Sequence, residues 1–260
     1  MKKYLIALLP VIVSIFFVAC KKDGNTANEK PSLLKYTNSN LSYDFEDIGQ
    51  IHNLGLEYIR QQGGLPSTLS MEFATYANGL THTFFKNNYM PNLSVQDSLN
   101  MDATIRYSVT EGLFGDGNAM WQNAMENISG NISLREKKYI DSCLFIISEA
   151  SQISDIDEQY NYISDELNKL IGSYESVDWG TDEGSLAGGV LYIAKSSGDY
   201  WYNISVTEGT VQGIWPILQA DAGGYLFGWT RAWLDGEPTS NGRINAGLRC
   251  ATECSTLGFL

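Results

Sequence analysis

Ala220-Asp-Ala-Gly-Gly-Tyr-Leu-Phe-Gly-Trp-Thr-Arg-Ala232 and Ala246-Gly-Leu-Arg-Cys-Ala-Thr-Glu-Cys-Ser-Thr-Leu-Gly258 share one spacing rule. A small residue returns at every fourth place: Ala220, Gly224, Gly228 and Ala232, then Ala246, Cys250, Cys254 and Gly258. Residues four apart stack on one face of an α-helix, and a face without long side chains lets a second backbone come close. Between the two segments, Asp235-Gly-Glu-Pro-Thr-Ser-Asn-Gly242 is dense in turn formers. The pattern predicts a close-packed carboxyl-terminal helical hairpin over residues 215–260, with these eight small residues as its ridge contact.

Upstream, the dominant period is also helical. Between Asp44 and Gln62, Ile48, His52, Gly55 and Ile59 fall on one stripe, and Gly63-Gly64 ends it. Ser67 is read as the start of a helix whose face carries Phe73, Ala77, Leu80 and Phe84, with His82 on its polar side beside Thr75 and Asn78. Ser94 with Asp97 opens another. Ser133 with Glu136 has the spacing of a reciprocal capping box, and the helix behind it runs to about Ala150. Ser154 with Asp157 precedes the clearest amphipathic stripe: Ile156, Tyr160, Ile163, Leu167, Leu170 and Tyr174. A short helix is expected over 118–127 and a longer one from Glu183 to about Tyr202. The β-branched residues of 203–213 read as a loop with at best one short strand. Pro216 suits the first turn of the next helix. The fold expected is all-α, a multi-helix bundle over residues 43–260.

The amino terminus reads as a targeting signal. Lys2 and Lys3 precede an apolar run from Tyr4 to Val18 that ends in Phe17-Val-Ala-Cys20. This ending resembles the bacterial lipoprotein lipobox, which implies a signal peptide over 1–19 and lipidation of Cys20. The run is shorter than the roughly 20 apolar residues of a spanning helix. Residues 20–42, poor in apolar side chains, read as the lipidated cysteine and a flexible tether. Lys21-Lys-Asp23 partly resembles charged export signals of surface-exposed Bacteroidota lipoproteins, implying an outer-membrane location in the cell envelope with periplasmic and surface-exposed orientations both open. The phrase Ile48-Gly-Gln-Ile-His-Asn-Leu-Gly-Leu-Glu-Tyr-Ile59 resembles the opening helix of an uncharacterised secreted lipoprotein family of Bacteroidota, IGxxHNxGLxxI, whose carboxyl end is also rich in small residues. That resemblance brings no activity with it. Its place on the apolar stripe marks His52, with the adjoining Asn53, as a polar core, structural or functional.

Charge and side-chain chemistry narrow the function. With 30 acidic against 17 basic residues, the formal net charge of −13 disfavours a phosphate backbone, so nucleic acid is not an expected partner. His52 and His82 are the two histidines of the chain, which excludes mechanisms built on several imidazoles. Neither H-E-x-x-H, G-x-S-x-G nor a phosphate-binding glycine fingerprint occurs. Cys250 and Cys254 lie four apart on a helix, too far for each other's disulfide, and without a nearby histidine they make no zinc pattern. No catalytic residue, metal ligand or cofactor is therefore assigned.

Two readings remain. One is a lipid-anchored envelope protein with a non-enzymatic helical binding or structural domain that meets an unknown protein or ligand. The other is a membrane-active protein of toxin or pore type that inserts the hairpin. Asp221, Arg231, Arg249 and Glu253 weigh against insertion, because a charge near the middle of a span costs roughly 2.5–3.5 kcal/mol. Arg249 and Glu253, four apart, are expected to pair on a solvated face.

Overall fold

Asp44 opens the first helix by accepting the Glu46 N–H at 3.2 Å, and Gly63 closes it with φ of +63°, a conformation that suits a residue lacking Cβ. This helix, α1 (Phe45–Gln62), is followed by α2 (Met71–Asn88), α3 (Val95–Thr110), α4 (Gly117–Ile128), α5 (Leu134–Ala150) and α6 (Ile156–Glu175). Then come α7 (Ser185–Glu208), α8 (Trp215–Leu234), α9 (Ser240–Ser255) and a closing 3₁₀ turn, Thr256–Phe259. A computed structural model describes residues 44–179, 183–209 and 213–260. The expected signal peptide over 1–19 and the expected lipidated Cys20 and tether over 20–42 lie outside the described residues. Among the described residues the chain is an all-α bundle with a close-packed carboxyl-terminal hairpin, α8 against α9.

Helix starts follow local side-chain chemistry, with adjustments. At α3 the Ser94 hydroxyl accepts the Asp97 N–H at 3.1 Å, and Asp97 returns the bond to the Ser94 N–H at 2.6 Å. The cap of α2 is Ser70, three residues beyond Ser67, with its hydroxyl 3.2 Å from the Phe73 N–H. Asp155, the residue after Ser154, caps α6 through the Asp157 and Glu158 N–H groups. The expected loop at 203–213 is overturned over its first half, since α7 continues to Glu208 and Gly209 ends it at φ +65°. The buried stripe Ser197, Trp201, Ser205 keeps its spacing of four through this stretch, and tertiary burial outweighs the strand preference of Ile204 and Val206.

α8 lies in the middle of the bundle, packed by α4, α5, α7 and α9, and every residue from Ala220 to Thr230 is buried. Its small residues make the close approaches. A Cβ on Gly228 would stand 2.5 Å from the Cys250 Cβ and 2.6 Å from the Ala246 carbonyl oxygen. One on Gly224 would stand 3.0 Å from the Cys254 sulfur. The ridge does not run the full length expected: α9 stops at Ser255, and Gly258, in the 3₁₀ turn, lies against the Trp201 ring of α7. A second seam, on another face of α8, brings Gly223 onto the Gly117 backbone of α4. No helix among the described residues is long and apolar enough to cross a membrane.

Candidate functional site

Two polar groupings sit where apolar packing would be expected, and they differ in access to solvent. The first is centred on Asp221 of α8. Its Oδ2 accepts the Ser255 hydroxyl at 2.8 Å and a short hydrogen bond from the Ser197 hydroxyl, while the Trp201 Nε1–H donates to Ser255 Oγ at 3.0 Å. His52 of α1 points its Nε2 at the same oxygen from 3.8 Å, beyond hydrogen-bond reach. On the other side of the ring, Nδ1 lies 3.0 Å from Asn53 Oδ1, and the Asn53 amide donates to the Ser196 carbonyl at 2.7 Å. That second bond orients the amide so that its oxygen faces Nδ1, while Nε2 has no hydrogen-bond partner. His52 and Asn53 are thus brought together with the α7 backbone.

Burial dominates this network. His52 and Asp221 are each 0% exposed. Desolvation pushes the Asp221 carboxyl up to about 8, although the Ser197 and Ser255 hydroxyls and Trp201 favour its charged form. The His52 imidazole is lowered to about 4 by the same cause, against the opposing pull of Asn53 and the Ala251 backbone. An ion pair would have shifted both groups the other way, so at neutral pH the two face each other uncharged. The serine hydroxyls address the carboxyl and not the imidazole, which is the wrong order for nucleophilic catalysis. The network ties α1, α7, α8 and the chain end together.

The second grouping reaches the surface. A half-open cleft of about 490 Å³ runs between the α2–α3 connection and α3 on one side and the α8–α9 turn and α9 on the other. Arg249 lines it, although the residue is only 3% exposed. Its Nη1 donates one long hydrogen bond, 3.4 Å, to the Asp97 carbonyl, and Nε and Nη2 have no partner. One turn earlier on α9, Asn245 lines the same cleft with its Oδ1 buried and unpartnered. Asp97, Asp235 and Glu237 bring acidic groups to the walls, and Met90, Pro91, Leu93 and Met101 an apolar side.

Behind Arg249, Glu253 is fully buried with both carboxylate oxygens unpartnered. Burial raises its carboxyl to about 8, the nearby guanidinium opposing. The expected solvated pair is therefore corrected: α2 and α3 cover this face of α9, both side chains are interior, and no ion pair joins them. Asn78 of α2, expected on a polar face, is buried as well, and His82 is half-buried with its pKa lowered by burial and then by the Arg249 charge.

The remaining predicted residues fall as follows. Gly224 and Gly228 meet Cys254 and Cys250 across the hairpin, Ala232 and Ala246 line the cleft, and Ala220 packs among Phe73 and Met120. Cys143, Cys250 and Cys254 are free and buried. Among the described residues no three His, Cys, Asp or Glu side chains converge as a metal site. No protein-family model matches the chain, and neither a curated protein nor a solved structure matches it.

Proposed function

We propose that the chain is a cell-envelope lipoprotein, anchored through Cys20 in the outer membrane, whose helical domain is a non-enzymatic binding module on a tether. The anchor rests on the Lys2 to Cys20 sequence and the tether on the composition of 20–42. One observation carries the binding reading: an open cleft meets a nearly buried arginine that has hydrogen-bond donors to spare. The titratable groups best suited to acid–base chemistry, His52 and Asp221, are sealed in the core away from that cleft. The membrane-inserting alternative is disfavoured because insertion would expose Asp221, Arg249 and Glu253 to lipid and abandon the seams α8 makes with four helices.

Metabolic labelling with an alkyne palmitate tests the anchor. Label that stays with the membrane fraction and disappears in Cys20→Ser supports it, and label-free protein in the soluble fraction overturns it. Incubating the full mature chain with dye-loaded vesicles tests the alternative, since dye release at micromolar protein would replace the binding module with a membrane-active one.

A further inference from the structure

The cleft beside Arg249 carries information about what it holds. At one end of the cleft Asp235, 3.8 Å from the Arg231 guanidinium, and Glu237 favour a cation, and at the other end Arg249 favours an anion, so a molecule that bears both charges is matched best. The two ends of the cleft are well separated. Gly242, Asn245 and Arg249 line it from successive turns of α9, and the seven steps from Gly242 to Arg249 rise about 10 Å along a helix. Asp235 and Glu237 stand at the turn end and Arg249 at the other. A free amino acid is too short to reach both. An extended peptide advances about 3.3–3.6 Å per residue, so three residues match the span and two come within about 3 Å of it.

Hydrogen bonding points the same way. Arg249 has unsatisfied donors, buried in this conformation, which a carboxylate fills with charge-assisted bonds once the guanidinium turns into the cleft. Asn245 Oδ1, between the two charged ends, lacks a donor, and a peptide N–H supplies one. Met90, Pro91, Leu93 and Met101 give side chains an apolar wall, and Gly228 and Ala232 keep the floor free of bulk.

We infer that the cleft between α3 and the α8–α9 hairpin binds a short peptide of two or three residues, carboxylate on Arg249, backbone N–H on Asn245 and ammonium toward Asp235 and Glu237. This rests on the binding-module reading and names its ligand class. No bond is made or broken.

Isothermal titration of the full mature chain in detergent tests it, with alanyl-alanine and trialanine as probes beside their N-acetylated and C-amidated forms, free alanine and inorganic phosphate. Saturable binding of the free peptides is expected, weakened at least tenfold by either terminal block and by Arg249→Gln. Asn245→Ala, which removes an acceptor without emptying the core, is expected to weaken binding several-fold at unchanged melting temperature, so the proposal stays testable if Arg249→Gln fails to fold. Equal binding of blocked and free peptides, tighter binding of phosphate, indifference to Asn245→Ala, or no saturable binding at millimolar peptide would each overturn it. Hydrolysis of the probe, followed by NMR over hours, would instead sink the non-enzymatic reading and leave the site standing. Failure of every probe to bind leaves the Cys20 anchor to its own labelling test.

Discussion

The Glu136 carboxylate, on the first turn of α5, accepts the backbone N–H of Leu186 at 2.9 Å, fifty residues downstream at the start of α7. The same oxygen takes the Ala187 N–H at 3.2 Å. Gly184, at the N-cap of α7, has no side chain to do this, so a residue of another helix satisfies the free donors. Ser133 still accepts the Glu136 N–H at 3.0 Å, leaving half a capping box while the other half is exported to α7.

Removing that carboxylate orphans two buried N–H groups. Glu136→Ala is expected to cost about 2–4 kcal/mol in chemical denaturation. Glu136→Gln, whose amide oxygen still accepts, should cost less than half as much. If Ala and Gln behave alike, the long-range cap contributes nothing and only packing was lost.

One substitution should have opposite signs at two glycines. Gly228→Ala forces a methyl onto the Cys250 Cβ and the Ala246 carbonyl, and overpacking of this kind costs about 1–3 kcal/mol. Gly79→Ala lies inside α2, where an added Cβ meets nothing within 4 Å. Relief of backbone entropy should stabilise that variant by about 0.5–1 kcal/mol. Thermal melts of the pair check both, and a neutral Gly228→Ala would mean that the hairpin can open by roughly half an ångström or more.

The glycines of α8 also mark what the chain reveals before folding. Gly224 and Gly228 announce a close contact because a spacing of four depends on the helical period alone. Gly117 and Gly223 form an equally tight seam, yet nothing local says that α4 will land on α8. The same limit explains Arg249 and Glu253: their spacing fits a surface pair, and only the arrival of α2 and α3 turns that surface into interior. The cleft joins residues 89–104 to 228–249, a juxtaposition made by the bundle and visible in neither segment. Asn245, central to it, carries no pattern at all.

Stability should fall as pH rises through the neutral range. Asp221 and Glu253, each raised to about 8, keep protons in the folded state that the unfolded chain releases above about pH 4, so their contribution is present at low pH and lost toward 8. His52, lowered to about 4, works in the opposite sense: its contribution is present above its unfolded value of 6.5 and lost as pH falls toward 4. Between 4 and 6.5 the histidine offsets one carboxyl, and above 6.5 both carboxyls act unopposed. The melting temperature should therefore decline more steeply from pH 6.5 to 8 than from 5 to 6.5. His52→Asn, without the titrating ring, should straighten the lower part of the curve.

Gln159 repeats the device of Glu136 with both ends of an amide. Its Nε2 donates to the carbonyls of Ala150 and Ile153, each at 3.0 Å, closing the end of α5. Its Oε1 accepts the Ile214 N–H at 2.9 Å and the Trp215 N–H at 3.4 Å, opening α8, which has no side-chain cap of its own. Gln159→Leu keeps the volume and orphans both sets, so it should cost at least about 2 kcal/mol. Gln159→Glu separates the two ends. A carboxylate still serves the Ile214 and Trp215 donors, but its second oxygen then faces two carbonyls and is tolerated only when protonated. That raises the folded-state pKa of the introduced group. Its penalty should be small near pH 4 and grow by on the order of 1 kcal/mol per pH unit above that until the folded group ionises. Denaturation of Gln159→Glu at pH 4.5 and 7.5 checks this, and a penalty independent of pH would mean that the two helix ends are not held by this side chain.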